Sequence, residues 1–224
     1  RFDKNDKELV SVSAYHFATV RRSDVLGRKL KSEITLASDK PFRPFRQATF
    51  RLSGDGRHVI AATDEYVGIW DSATGDLLKK LSYPTKEWKY DCIGKLDCTP
   101  DLSVIVGHLT TSYTGTASFY DAHLIVWDGK TGEVLNMVVD KHATPLHSID
   151  LSTDGKRLAT TNGGRAKVWE TRTGKLIRSF PNDNKGRKHS DPEVSDQYTS
   201  QVWSVQLSPD GKQLAVGDIL GVRL

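Results

Sequence analysis

Cysteine is scarce, at two in 224 residues. Cys92 and Cys98 stand in a C-x5-C spacing that fits no common zinc or redox signature. On a single strand an offset of six would hold them ~20 Å apart, too far to bridge. Unbridged thiols and the lack of any N-x-S/T sequon point to a reducing, intracellular (cytoplasmic) compartment. No apolar run approaches the ~18–20 residues of a helical membrane span. Arg1-Phe2-Asp3-Lys4 does not read as a signal peptide, and a chain opening on Arg1 is expected to begin inside a longer product. One-sided charge is missing too. Lys and Arg number 32 against 28 Asp and Glu, a net +4 spread along the chain rather than gathered into the basic patch of a phosphate-backbone binder. Helical periodicity is absent throughout, because the apolar pattern alternates with period two.

The residue sets that carry catalysis are also missing. His147-Ser148-x-Asp150 offers the right residue types, but successive strand residues point to opposite faces, so His147 is read as a packed strand residue. His142, His147 and His189 have no metal-like spacing. No phosphate-cradling glycine pattern follows a strand and opens a helix, and Gly163-Gly164 reads as a strand-to-strand turn. No metal or cofactor is expected.

What the sequence does have is repetition. Phe50-Arg51-Leu52-Ser53-Gly54-Asp55-Gly56-Arg57 returns as Ile149-Asp150-Leu151-Ser152-Thr153-Asp154-Gly155-Lys156 and as Val205-Gln206-Leu207-Ser208-Pro209-Asp210-Gly211-Lys212. A weaker copy runs from Leu96 to Ser103 around Asp101, and a vestige surrounds Asp6. Each is a strand end followed by the Asp-Gly reversal that a hairpin needs. A second motif follows: Ile69-Trp70-Asp71, Val126-Trp127-Asp128 and Val168-Trp169-Glu170, each with a Thr-Gly pair just beyond and a short apolar strand after that. Four short antiparallel strands per ~40–45 residues make a propeller blade.

These units resemble WD40 repeats over nearly the whole chain. The resemblance implies an all-β propeller of about five four-stranded blades, three whole and two partial. They span approximately 1–36, 46–82, 92–140, 145–181 and 201–224, with insertions at 109–123 and 181–200. The expected frame residues are Asp55, Asp101, Asp154 and Asp210 in the turns, and Trp70, Trp127 and Trp169 in the core. In the family a His bonds an Asp ahead of the Trp strand. Asp64 and Asp121 occupy that Asp position, whereas His142 meets Asn162-Gly163 and the other His positions hold Arg43 and Lys89. No complete His–Asp network is expected, so rigidity should rest on packing. In the first copy Val20-Arg21-Arg22 stands in place of apolar-Trp-Asp. Ends that fall inside blades imply a piece of a larger ring, with ~2 blades beyond these residues.

Loop lengths point to one working face. Asp55–Trp70 and Asp154–Trp169 span 15 residues but Asp101–Trp127 spans 26, and Trp-to-Asp distances rise to 41 for Trp169–Asp210. The up-down strand order sets every insertion on one end of the ring and the tight turns on the other. Loops on a rigid scaffold are where binding usually sits. Their aromatic and Arg residues are the candidate contacts: Phe42, Arg43 and Phe45; Tyr83, Trp88 and Tyr90; Tyr113, Phe119 and Tyr120; and Arg187. The run around Arg187 carries three basic and four acidic residues between Pro181 and Ser200, so nucleic acid is not the expected partner. The expected function is a non-catalytic scaffold that holds a protein or peptide. The alternative is a targeting domain of a larger enzyme, a kinase or hydrolase for example, whose catalytic part lies outside this chain.

Overall fold

The computed structural model describes residues 8–14, 18–24, 29–40, 50–63, 65–83, 92–110, 122–140, 146–162, 164–181, 202–218 and 221–223. All regular structure among them is β, in five sheets whose strands follow one another in chain order. The first holds β1 (Glu8–Ala14), β2 (Ala18–Asp24) and β3 (Leu30–Thr35). The second holds β4 (Phe50–Leu52), β5 (His58–Ala62), β6 (Tyr66–Asp71) and β7 (Leu77–Ser82). The third holds β8 (Cys92–Cys98), β9 (Val104–Thr110), β10 (Ala122–Asp128) and β11 (Val134–Asp140). The fourth holds β12 (Leu146–Leu151), β13 (Arg157–Asn162), β14 (Arg165–Glu170) and β15 (Leu176–Pro181), and the fifth β16 (Val202–Leu207), β17 (Leu214–Asp218) and β18 (Gly221–Arg223). The chain divides into two compact units, Arg1–Ser112 with Trp127–Val134, and Tyr113–Val126 with Leu135–Leu224. The two cysteines stand at opposite ends of β8, and Cys98 is a free thiol.

The repeated turns close by the same local chemistry. Ser53 Oγ donates to Asp55 Oδ1 at 2.6 Å, and the same oxygen accepts the Arg57 N–H at 3.0 Å. Ser152 and Lys156 around Asp154, and Ser208 and Lys212 around Asp210, repeat both contacts. These donors hold the three carboxyls below the usual range. Gly56, Gly155 and Gly211 follow with φ of 71°, 68° and 66°, the left-handed region that glycine enters freely. In the weaker copy Leu102 takes that place with φ 58°. The left-handed backbone costs a residue with a Cβ about 1–2 kcal/mol. Burial of the Leu102 side chain, worth about 1.5–3 kcal/mol, offsets it.

The core lies between neighbouring sheets. In the first unit Val10, Ala18 and Val20 of the first sheet pack with Leu52, Val59, Ala61, Tyr66 and Trp70 of the second. In the second unit Ala159 and Ala166 pack with Val202, Val205 and Leu207. Trp70 and Trp127 are fully buried and Trp169 nearly so.

The first sheet corrects the register read from the sequence. Ser23 pairs with Leu30 across a bulge as Trp70 pairs with Leu77, and the Asp24 N–H donates to Lys29 O as the Asp71 N–H donates to Asp76 O. Arg22-Ser23-Asp24 is therefore the counterpart of Ile69-Trp70-Asp71, two residues beyond Val20-Arg21-Arg22. The backbone hydrogen-bond frame sets the register, and apolar Val20 drew the alignment away because no indole marks the position. Arg21 lies across from Glu33 and pairs with it at 2.8 Å.

Candidate functional site

Two of the candidate contact segments begin where strands β3 and β7 end, and both points, like the end of β11, are pinned. After β3, the Ala37 N–H donates to Gly75 O at 2.8 Å and Ala37 O accepts Trp70 Nε1 at 2.6 Å. Asp39 then accepts Lys80 Nζ on one oxygen and the Tyr66 hydroxyl on the other, both at 2.8 Å. Ser38 Oγ lies 3.1 Å from that hydroxyl, and the Lys80 ammonium sits 4.6 Å from the Tyr66 ring centre. Lys80 first and Tyr66 second hold the Asp39 carboxyl down at about 2, while burial pushes the Tyr66 phenol up. Lys40 pairs with Glu65 at 2.7 Å. Residues 36–40 are thus fixed along β6 and β7, immediately ahead of Phe42, Arg43 and Phe45.

The second connection is pinned the same way. Ser82 O accepts Trp127 Nε1 at 3.1 Å, and the Tyr83 hydroxyl donates to Thr63 O at 2.9 Å. Tyr83, a candidate contact, is half-buried with its phenol committed to its own sheet. In the third case the pin is ionic. Asp140, fully buried at the end of β11, pairs with the Lys167 ammonium and accepts Asn162 Nδ2 at 3.2 Å.

This last cluster is a buried polar chain built without a His, distinct from the family's His–Asp pair. Asn162, next to the position where the repeat asks for a carboxylate, donates to Asp140, and Trp169 Nε1 donates to Thr160 Oγ1 at 2.9 Å. Asp140 was missed because its partners lie 22 and 27 residues away, beyond any local motif. The Asp frame is as described above: Asp55, Asp154 and Asp210 close their turns, and Asp101 accepts the Ser103 N–H at 3.0 Å. Phe42, Arg43, Phe45, Trp88, Tyr90, Tyr113, Phe119, Tyr120 and Arg187 lie outside the described residues, as do Asp64, Asp121 and His142.

Arg51, Asp97 and Asp150, at equivalent positions of the repeats, join neighbouring sheets. Arg51 pairs with Asp97 at 3.0 Å, and Asp150 Oδ2 accepts the Leu207 N–H at 2.6 Å. The Ser148 N–H goes to Thr161 Oγ1, and the His147 ring lies against Trp203. Among the described residues no group of three His, Cys, Asp or Glu is placed to hold a metal ion, and no helix is long and apolar enough to cross a membrane.

Sheets of four antiparallel strands, repeated with the same turns and the same buried Trp, define a β-propeller type of fold. A solved chain of hydrazine synthase from Kuenenia stuttgartiensis has this fold, with a TM-score of 0.67 at 16% identity over 97% of this chain and 60% of its own. Residues 133–170 match the WD40 family, described as WD domain, G-beta repeat. That stretch is a WD40 repeat, running from the start of β11 to the end of β14. U3 small nucleolar RNA-associated protein 12 of Saccharomyces cerevisiae is 28% identical over 100 residues, taking in 33% of this chain. The match spans 11% of that relative's length.

Proposed function

We propose that the chain is a non-catalytic propeller scaffold that holds a protein or peptide partner through its loop-rich face, on the longer connections between strands. The observation that carries this reading is the pinning of residues 36–40 and 82–83. Each connection leaves a fixed point, so the residues beyond it start from a defined place, and preorganised contacts lose less ordering entropy on binding. The WD40 repeat at 133–170 supports the same reading, since such repeats serve protein interaction in general. The residue types past the pins, aromatic and Arg, are those enriched at binding hot spots.

The test is capture of interacting proteins by the immobilised chain, compared with a Trp88→Ala/Tyr120→Ala double variant. The double variant is expected to retain its β-type circular dichroism and melting temperature while losing the captured proteins. Undiminished capture would remove both residues from the site. Turnover of a substrate by the purified chain would overturn the non-catalytic reading.

A further inference from the structure

Strands β8, β12 and β16, each the first of its sheet, share an irregularity. Their ladders shift register between Ile93 and Lys95, between Leu146 and Ser148, and between Val202 and Ser204. The residues left out of the ladder are Gly94, His147 and Trp203. A bulge re-aims the side chain it carries and is over-represented beside functional sites. In the second unit two of these side chains meet. The His147 and Trp203 rings lie 4.6 Å apart between centroids, tilted by 47°. Trp203 is 45% exposed, whereas Trp70 and Trp127 are wholly buried. The strands beneath the pair are stapled by Asp150 and the Leu207 N–H, and the bulge is held by Ser148 N–H to Thr161 Oγ1 at 3.0 Å. The indole is therefore presented on a fixed base, with no part in the core.

Charge selects what it can receive. Neither β12 (LHSIDL) nor β16 (VWSVQL) carries a lysine or arginine, and their one formal charge is Asp150. An exposed indole face attracts a cation through its ring quadrupole, and Asp150 adds a field of the same sense. We propose that the His147–Trp203 ledge seats the arginine or lysine side chain of a basic peptide segment in a partner protein. This rests on the reading of the chain as an interaction scaffold and gives its partner a chemical class. An acidic segment would meet Asp150 and find no cation on either strand.

Incorporation of fluorotryptophan gives each of the five tryptophans its own ¹⁹F signal, and the Trp203 line is assigned from Trp203→Phe. The chain is titrated with acetyl-Gly-Arg-Gly-Arg-Gly amide and, separately, with its Glu counterpart. The Trp203 signal is expected to shift saturably with the Arg peptide alone. Peptide affinity, followed by fluorescence anisotropy, should fall roughly 2- to 30-fold in Trp203→Leu, the span of a single cation–π contact, and less in Trp203→Phe. Trp203→Leu keeps the apolar bulk and so separates the π face from hydrophobic contact. An unmoved Trp203 line, an equal shift with the Glu peptide, or unchanged affinity in Trp203→Leu would overturn the ledge. Protein capture that persists in Trp203→Leu while the Arg peptide fails to bind the parent chain would sink the ledge and leave the scaffold reading standing.

Discussion

Replacement of Asp140 by Ala tests whether the buried ion pair holds the fourth sheet to the end of β11. The Asp140 side chain is 1% exposed and that of Lys167 14%. Deleting the carboxylate strands an ammonium in a mostly dry site and takes the acceptor from Asn162 Nδ2. Breaking a buried pair by removing one partner costs about 3–5 kcal/mol. The Trp169 ring, 5.8 Å from the Lys167 nitrogen, can return about 0.5–2 kcal/mol, so it does not compensate. With about 2–4 °C per kcal/mol for a chain of this size, the midpoint should fall by roughly 6–20 °C. The assay is thermal and urea unfolding followed by circular dichroism and by tryptophan emission. An Asp140→Ala/Lys167→Met double variant, which removes both charges, should recover most of the loss, because a buried pair replaced by apolar groups is often neutral. A single variant that loses less than about 1 kcal/mol, or a double variant no better than the single, would refute the assignment.

Gly68 has the buried Trp70 ring directly over it: a Cβ there would lie 2.2–2.7 Å from three ring atoms. Gly68→Ala should therefore cost about 1–3 kcal/mol by urea unfolding, and a cost under about 0.5 kcal/mol would show that the ring can move. The Asp39 carboxyl should titrate near 2 when followed by carboxyl ¹³C shifts, against an ordinary 3.8. Its folded value is depressed, so the stabilisation it gives is present above the unfolded value and is lost as pH falls through about 2. In Lys80→Met the midpoint should move back towards 3.8, and a midpoint that stays near 2 would place the cause elsewhere.

The turns were legible because their chemistry is local: a Ser, an Asp two residues on and a left-handed glycine satisfy one another within six residues. The indoles were legible for the same reason, since alternation with Trp before a Thr-Gly reversal places them on a covered face. The register of the first sheet was not, because with Ser23 in the Trp position its only marker is the Asp24 N–H to Lys29 O bond. Nor were the bulges. Leu146-His147-Ser148 and Val202-Trp203-Ser204 alternate like any strand, and the extra residue shows only once the partner strands β13 and β17 fix the ladder. His147 is a packed strand residue, as alternation suggests, and its packing partner across the sheets is Trp203.

The fourth sheet shows how a repeat can keep its outward pattern and change its wiring. Arg51, Asp97 and Asp150 pair with Ile60, Val106 and Ala159, so Ala61, Gly107 and Thr160 hold one structural position. Where that position is Ala61 or Gly107, it offers no side-chain acceptor, and Trp70 and Trp127 send their indole N–H to the backbone carbonyls of Ala37 and Ser82. Where it is Thr160, the hydroxyl accepts the Trp169 N–H within the sheet. The tie to the preceding strand is then made by other atoms. Lys167, two residues before Trp169 as Gly68 is before Trp70, reaches Asp140 at the end of β11. Thr160, Lys167 and Asp140 are thus parts of one exchange, in which an ion pair replaces an indole-to-carbonyl bond and the start of the next connection stays pinned.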